Sequence, residues 1–329
     1  MNAKTKLYPL QFKPIPKYRI WGGNKLNEVL NKGFSEEKIG ESWEISDVKG
    51  DKTSVINGSL KGKTLREIST EFGEDFLGKK VFNDFGVDFP LLIKFIDAKT
   101  PLSVQVHPHD DIARERHNSF GKNEMWYIMD ADDSAEIIVG FNKELTKESY
   151  SNYLENGNVL EVLNKVNTKS GDAFYIPTGR VHAIGSGVLL AEIQQTSDIT
   201  YRIYDYERVD SITGKQRDLH NDLALDVLDF NIKKNYNTEY TTKKNVDNKL
   251  IHSPYFRSNI LFIDKEVVKD CSEIDSFIIY MCTKGSLNID ADGEAYFLKK
   301  GDTILLPASL NNFKLSSTSE VELIEVYYS

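Results

Sequence analysis

Two stretches of this sequence carry reactive side chains at a spacing that could present them together. The first is PLSVQVHPHDD at residues 101–111, where aliphatic residues alternate with polar ones. Strict alternation predicts a half-buried strand. The polar face then carries Ser103, Gln105 and His107 in a row, with ~6–7 Å between successive residues of that face. Pro108 ends the strand because it has no N–H to donate, so His107 lies at a strand end suited to hold a ligand.

The second stretch is GDAFYIPTGRVHAI, which begins at Gly171. Gly-Asp predicts a tight turn into a strand, and Pro177 and Gly179 end that strand and bend it. His182 follows directly after the bend, where its side chain can face inward. The alternative for a histidine is an ordinary hydrogen-bonded residue of the core or the surface.

The spacing of this second stretch, G-D-x4-P-x-G-x2-H, resembles the second half-motif of cupin barrels. In that family the first half-motif supplies a histidine from one strand and a carboxylate from the next, and His107 and Glu124 match these positions. Two imidazoles and one carboxylate suit a divalent first-row metal with open coordination positions. Gln105 shares the face of His107 and could add a carbonyl oxygen. His109 has the same parity as His107 and competes with it for this role, although Pro108 disturbs the register.

Several further elements must bring these side chains together. The apolar run FPLLIKFIDA at residues 89–98 predicts a strand that Lys94 interrupts. Burying an unpaired ammonium is costly, so this is either an edge strand with a snorkelling lysine or a strand whose cation points into a polar pocket. The other predicted segments are strands from Glu124 and at 135–141, helices at 61–78, 144–165 and 218–230, and a loop at 110–123.

The length of 329 residues predicts one large or two ordinary domains. The polar segment at residues 231–249 is the strongest candidate for a boundary, so we expect domains over residues 1–240 and 241–329. The second of these repeats the Gly-Asp and proline of the half-motif, from Gly301 to Pro307, with no histidine after them. We therefore expect a mainly β protein with two cupin (jelly-roll) domains and a few helices, in which only the N-terminal barrel binds metal.

Composition narrows the classes of function. The formal net charge of −9 argues against a general nucleic-acid binder, while it leaves room for a local basic pocket that takes an anionic small molecule. Cys271 and Cys282 could pair with each other, but two cysteines do not indicate a disulfide framework. Residues 1–20 show no signal-peptide pattern, and no apolar run approaches the ~20 residues of a membrane span. We expect a cytoplasmic protein that does not bind membranes; the sequence leaves its oligomeric state open.

Four motifs together resemble the type I mannose-6-phosphate isomerases: PLSVQVHP, the KNE that ends at Glu124, GDAFYIPTGRVHAI and QQTSDITYRIYDY. The resemblance is to the short bacterial form, and it is densest over residues 89–208. It implies an enzyme that interconverts mannose 6-phosphate and fructose 6-phosphate with one zinc ion per chain. The residues that match the metal positions of the family are Gln105, His107, Glu124 and His182.

Such an aldose–ketose isomerisation moves a proton between C1 and C2 of the sugar and passes through an enediol(ate). A zinc ion can act as a Lewis acid for the developing oxyanion, and a carboxylate or lysine must carry the proton. Glu192 resembles a base proposed for the family. Lys122 lies two residues before Glu124 and is a second candidate.

Two cations complete the expected site. Arg202, in TYRIYDY, matches the catalytic arginine of the family and could stabilise the enediolate or bind phosphate. Its alternative is an ion pair with Asp198 or Asp205. Lys94 resembles a family lysine near the substrate phosphate, which would explain a cation within an apolar strand.

Two other functions stay open at this stage. Two histidines and one carboxylate also suit Fe(II) and O2, as in a cupin oxygenase. The scaffold could instead bind a sugar phosphate without catalysis. The glutamine and the basic residues disfavour an oxygenase, and the presence of Arg202 together with every matched metal residue disfavours a non-catalytic protein.

Overall fold

Two pairs of β-sheets, one pair after the other along the chain, make up most of this protein. The structure is a computed structural model that describes residues 6–328. Strands outnumber helices over these residues, which confirms the mainly β class expected from the sequence. No helix of the described chain is long and apolar enough to cross a membrane.

The first pair of sheets lies before residue 205. Its strands are β1 (Ile15–Gly23), β2 (Ile39–Ile45), β3 (Asp47–Val48), β4 (Asp51–Lys52), β5 (Leu91–Ala98), β6 (Val104–Val106), β7 (Glu124–Ala131), β8 (Glu136–Phe141), β9 (Leu163–Asn167), β10 (Ala173–Ile176), β11 (His182–Ile184), β12 (Val188–Gln195) and β13 (Tyr201–Tyr204). The larger sheet has the order β1-β2-β5-β12-β7-β10, the smaller has β13-β6-β11-β8-β9, and β3 pairs with β4 alone. Apolar residues of the larger sheet, such as Phe174, pack with Val139 and others of the smaller sheet.

Helices pack against both sheets of this pair. They are α1 (Lys25–Glu28), α2 (Leu65–Phe72), α3 (Glu74–Leu77), α4 (Lys79–Phe85), α5 (Asp110–His117), α6 (Lys147–Glu155) and α7 (Asn221–Val227), with a 3-10 helix at Val159–Val162. The helix predicted at 61–78 is divided in two. Thr64 caps α2 through a capping box with Glu67, and Gly73, at a φ of 50°, ends it before α3.

Two predicted segments were wrong. Residues 110–123 do not form a loop throughout, because α5 begins at Asp110 and ends at His117, where Asn118 caps it with a left-handed φ of 49°. Its first turn is acidic and its last turn basic, which the helix dipole favours. The helix predicted over 144–165 ends early, and Leu163 already begins the strand β9.

The second pair of sheets follows a segment, residues 228–246, that contains neither helix nor strand beyond isolated bridges in the described chain. The predicted division after residue 240 falls within this segment. The strands are β14 (Asp247–His252), β15 (Arg257–Ile263), β16 (Val267–Asp270), β17 (Ile278–Lys284), β18 (Ser286–Ala291), β19 (Glu294–Lys299), β20 (Thr303–Leu306), β21 (Asn312–Ser316) and β22 (Val321–Tyr327). The sheets have the orders β14-β15-β22-β17-β20 and β16-β21-β18-β19.

The larger N-terminal sheet is covered on both faces. Leu190 of β12 packs toward the smaller sheet, whereas its neighbours Leu189 and Ala191 pack with residues of the C-terminal strands such as Ile279. A strand that is buried on both faces has a nearly continuous apolar sequence. This explains why the residues of β5 are almost all apolar. A polar side chain on the inner face of this sheet is consequently shielded from bulk water.

Candidate active site

Strand pairing sets the predicted residues side by side on the inner faces of the two sheets. On the smaller sheet, Gln105 of β6 pairs with His182 of β11 and with Arg202 of β13. On the larger sheet, Glu192 of β12 pairs with Lys94 of β5 and with Trp126 of β7. Because paired residues lie directly across from each other, each sheet presents a row of polar side chains to the space between the sheets.

A cavity of about 520 Å³ opens between these rows, a size within the usual range of small-molecule sites. The predicted site residues that line it are Lys94, Gln105, Lys122, Glu192 and Arg202. Cationic, anionic and indole side chains share its walls, so the cavity suits a polar and charged ligand.

His107, Glu124 and His182 form a buried group beside this cavity. One ligand atom of each lies within 4.8 Å of the others. Nε2 of His107 and Nε2 of His182 lie 3.2 Å and 3.6 Å from the two carboxylate oxygens of Glu124. The structure thus brings together three of the residues that the sequence assigned to a metal. His109, the competing histidine, is exposed and hydrogen-bonds Thr178 at 2.8 Å.

Backbone carbonyls orient both imidazoles of the group. Nδ1 of His107 donates to the carbonyl of Ile199, and Nδ1 of His182 donates to that of Arg180, each at 2.8 Å. Each Nε2 therefore keeps a lone pair, the arrangement typical of metal-binding histidines. Burial, and then Lys122, lowers the pKa of His107 to about 4, and burial lowers the pKa of His182. Both rings are thus neutral near pH 7, as metal ligation requires.

Glu124 supplies the third donor. Its Oε2 is buried and has no hydrogen-bond partner among the described residues, although a buried polar atom without a partner is costly. A cation bound between this oxygen and the two Nε2 atoms would provide the missing partner. Two neutral nitrogens and one carboxylate fit a divalent first-row metal.

Gln105 presents its amide nitrogen to this group. Nε2 of Gln105 lies 3.3 Å from Nε2 of His182, and Oε1 lies 3.4 Å from the hydroxyl of Ser103. In this orientation the side chain contacts a histidine of the group through a nitrogen that does not bind metals. A half-turn of the amide would exchange its two ends, and a direct role at the metal stays a prediction.

Lys122 lies between the group and the cavity. Its ammonium contacts the carboxylate of Glu124 and is 3.2 Å from Nε2 of His107. Burial alone would lower the pKa of Lys122 and raise that of Glu124. Burial is the largest single influence on each group, but the attraction between them and to other neighbouring charged groups together outweighs it, so that the pKa of Lys122 is raised and that of Glu124 is lowered well below its usual value.

Lys94 is held by carboxylates on the inner face of the larger sheet. Its ammonium is 3.0 Å from Oε1 of Glu192 and 3.9 Å from Glu41, while Trp126 donates its indole N–H to Oε2 of Glu192 at 2.8 Å. The edge-strand interpretation of residues 89–98 was wrong, because β5 lies between β2 and β12. The cation points instead into the polar cavity.

Arg202 forms no ion pair with Asp198 or Asp205 within residues 6–328. Its Nη1 donates to the carbonyl of Asp218 at 2.8 Å, and its Nε is buried without a partner in the described chain. Asp205 binds two other arginines instead. The guanidinium of Arg202 therefore retains hydrogen-bond donors on the wall of the cavity.

Known proteins resemble this chain over most of its length. The type I phosphomannose isomerase catalytic domain matches residues 10–150, and the mannose-6-phosphate isomerase cupin domain matches residues 248–328. The probable mannose-6-phosphate isomerase GmuF of Bacillus subtilis is 37% identical over 318 residues, 95% of this chain and 98% of that protein. The mannose-6-phosphate isomerase of Streptococcus mutans is 34% identical over 304 residues, 92% of this chain and 93% of that protein.

The chain belongs to the type I mannose-6-phosphate isomerase family. A solved structure agrees: the mannose 6-phosphate isomerase of Bacillus subtilis has a TM-score of 0.88 and 33% identity, and the match covers 97% of this chain and 99% of that one. Membership of this isomerase family makes the chain an enzyme, and the enzymes of the family act on sugar phosphates. It also confirms the cupin class predicted from the half-motifs.

Several residues that line the cavity were not predicted to do so, among them Arg19, Glu41, Trp43 and Arg217. Glu41 accepts hydrogen bonds from Arg19 at 2.9 Å and from the Trp43 indole at 2.6 Å. The alternation in ESWEI could have indicated that Glu41 and Trp43 share one face of a strand. No local sequence pattern connects Arg217 with the cavity, because Arg217 lies in the long segment that follows β13 and reaches the cavity wall only in the folded structure.

Proposed function

We propose that this chain interconverts D-mannose 6-phosphate and D-fructose 6-phosphate with one zinc ion held by His107, Glu124 and His182. The observation that carries this proposal is the convergence of two neutral Nε2 atoms and the unpartnered Oε2 of Glu124 beside a polar cavity. Zinc takes such nitrogen and oxygen ligands, and three protein ligands leave a position open for the substrate. Gln105 would complete the surroundings of the metal. The ion would supply a Lewis acid that polarises the sugar oxygens and stabilises the negative charge that develops on them.

Glu192 and Lys122 divide the proton transfers in this proposal. The carboxylate of Glu192 is fixed on the cavity wall by Lys94 and Trp126, and a carboxylate can take the proton from C2 and return it at C1. The side chain of Lys122 is an ammonium next to Glu124. It can therefore donate a proton to a sugar oxygen, whereas Glu192 acts on the proton at carbon. The base is therefore assigned to Glu192 and the proton donor at oxygen to Lys122.

Arg202 and Lys94 bind the substrate from opposite walls. Arg202 has unused donors, which we assign to the enediolate oxygen, where a positioned donor acts as part of an oxyanion hole. Lys94 is assigned to the binding of the anionic sugar phosphate and to the orientation of Glu192. Because Glu192 and Glu41 already hold its ammonium, Lys94 provides only part of the positive charge that a phosphate dianion requires.

The C-terminal sheets are assigned to packing rather than to a second metal. Glu325 lies inside them, but its oxygens accept hydrogen bonds from Tyr280 at 2.5 Å and from Asn259 at 2.9 Å, and Lys269 lies 2.7 Å away. This carboxylate thus has partners where Glu124 lacks one. No second group of metal-binding residues like that of Glu124 occurs among residues 6–328. We also propose a cytoplasmic location, which the unpaired and buried Cys271 and Cys282 support.

The test is a coupled assay that follows fructose 6-phosphate formed from mannose 6-phosphate, before and after treatment with a chelator. We expect the chelator to abolish the conversion and added zinc to restore it. Oxygen uptake is measured in parallel with Fe(II). Conversion that persists in fully metal-free protein would refute the role of zinc, and oxygen consumption without isomerisation would refute the isomerase.

A further inference from the structure

Residues 205–219 form a rim segment between β13 and α7, at one side of the cavity. The chain leaves β13 through Tyr206 and Glu207, which both adopt positive φ angles of 56° and 54°. Such a conformation is costly for residues other than glycine. The segment then closes on itself through a bridge between Val209 and Gln216. It is therefore a defined turn that brings its last residues back to the cavity wall.

One carboxylate organises two arginines of the rim segment. Asp205 is 5% exposed, and Nε and Nη2 of Arg217 donate to it at 2.8 Å and 2.6 Å. Arg208 contacts the same carboxylate but directs its Nη1 to the carbonyl of Pro101. Arg217 lines the cavity, whereas Arg208 is not among the residues that line it. The two arginines share one carboxylate, so Asp205 neutralises only one of their two positive charges.

Arg217 extends the row of polar residues beyond the edge of the smaller sheet. That row runs from His182 through Gln105 to Arg202 on the edge strand β13, and the rim segment returns directly next to it, since Asp218 accepts from Arg202. Burial, and then the proximity of Arg217, lowers the pKa of Arg202. The two guanidiniums repel each other, and an anion bound beside both of them would reduce this repulsion.

Arg217 has donors left for such an anion. Its Nη1 has no hydrogen bond to any residue between Lys6 and Tyr328, and its side chain is 22% exposed. Two carboxylates also line this part of the cavity. Asp210 already accepts from the hydroxyl of Tyr18 and from the backbone of Ile212, and Asp198 is exposed to solvent.

We propose that Arg217 is a substrate-binding residue that recognises the phosphate group of the sugar, and that Asp205 is the positioning residue that holds it. This inference rests on the proposed function. A sugar whose C1–C2 end lies at the His107, Glu124 and His182 group extends past Arg202 toward the rim segment. Its phosphate then meets the free donors of Arg217, whose planar fork suits phosphate oxygens.

The matched pair Arg217→Gln and Arg208→Gln tests the inference. Both variants remove one positive charge and one partner of Asp205 from the same segment, but only the first removes a cation from the cavity wall. We expect Arg217→Gln to raise KM for mannose 6-phosphate by about 10- to 100-fold, the range for loss of a charged hydrogen bond, with kcat changed less than about threefold. Inhibition by inorganic phosphate should weaken in parallel. Arg208→Gln should keep both constants near those of the native enzyme.

Calorimetric binding of inorganic phosphate to both variants separates this inference from the proposed reaction, because it needs no turnover. Weaker binding in Arg217→Gln alone would support Arg217 even if mannose 6-phosphate were not isomerised. Equal losses in both variants, or an unchanged KM and unchanged phosphate binding in Arg217→Gln, would overturn the inference. If Arg217→Gln fails to fold, Arg217→Lys, which keeps the charge without the fork, should show a smaller rise in KM, and no rise would likewise overturn it.

Discussion

Lys94 and Glu192 are paired across β5 and β12, and the ammonium of one lies 3.0 Å from the carboxylate of the other. Both side chains are almost completely buried, which makes their relative position well defined. The base assigned to the isomerisation is thus oriented by a cation on the neighbouring strand. The sheet register, rather than a flexible loop, controls this geometry.

Replacement of Lys94 by glutamine should therefore affect turnover as well as binding. Glu192 would lose its charged partner, and we expect kcat to fall by about tenfold, the scale of one charged hydrogen bond. Lys17 provides the control, because it also lines the cavity but pairs with Asp51. Steady-state kinetics should show a much smaller change of kcat in Lys17→Gln. Equal kcat values in Lys94→Gln and the native enzyme would show that Lys94 does not orient the base.

His182→Ala should produce a folded protein that has lost most of its metal. The substitution removes one of three converging donors, and metal affinity depends steeply on the number of ligands. His109→Ala is the matched control, since His109 is exposed and its imidazole hydrogen-bonds the Thr178 hydroxyl, away from the metal group. Elemental analysis of both purified variants measures the metal bound per chain and so tests this expectation. Full metal occupancy in His182→Ala would contradict the assigned site.

Arg202→Ala should lower kcat by about 10²- to 10³-fold, as expected when an oxyanion donor is lost. A raised KM with nearly unchanged kcat would show instead that Arg202 binds ground state and transition state equally. Arg202→Lys should restore little activity, because an ammonium lacks the planar fork of donors. Steady-state kinetics and a melting curve on both variants distinguish these outcomes. An unchanged kcat in Arg202→Ala would refute the assignment of Arg202 to the enediolate oxygen.

Glu41 should make the stability of the protein depend on pH in the acidic range. Burial would raise the pKa of Glu41, but Arg19 and Lys94 outweigh it and lower that pKa from 4.5 to about 2. Since the folded pKa lies below the unfolded one, ionised Glu41 stabilises the fold above pH 4.5, and this contribution is lost as the pH falls from 4.5 toward 2. Glu41→Gln should thus lower the free energy of unfolding near neutral pH, by at most about 3 kcal/mol.

Urea denaturation of the native protein and Glu41→Gln, from about pH 7 to about pH 3, checks this expectation. The difference between the two free energies of unfolding should shrink as the pH falls. Glu44→Gln is the control, because Glu44 is also buried on β2 but burial raises its pKa. A constant difference between the native protein and Glu41→Gln over this range would exclude a depressed pKa of Glu41.

The sequence identified His107, Glu124 and His182 as candidate metal ligands, the two histidines through local patterns together with the cupin resemblance and Glu124 through that resemblance. The turn at Gly171, the bend at Gly179 and the alternation around Gln105 each determine where a side chain points. Other features depend on tertiary structure. α5 has a weak apolar pattern and is specified by its acidic and basic ends, and Arg217 reaches the cavity only because Asp205 and the returning rim segment hold it there.

For β5, the sequence predicted the strand but not its position in the sheet. Its apolar sequence predicted a strand correctly, but the position of that strand in the sheet depends on partners far along the chain. Only the pairing with β2 and β12 shows that Lys94 faces a cavity rather than solvent. Packing of the opposite face against Ile279 and other C-terminal residues explains why the alternation expected of a half-buried strand is absent.

One zinc ion at His107, Glu124 and His182 makes this chain an active isomerase in the proposed function. Titration of zinc into metal-free protein, with bound metal and conversion of mannose 6-phosphate measured on the same samples, tests it most directly. We predict that activity rises in proportion to bound zinc and reaches its maximum near one ion per chain, while His182→Ala gains neither. Activity that is independent of bound zinc, or that reaches its maximum only near two ions per chain, would contradict the claim.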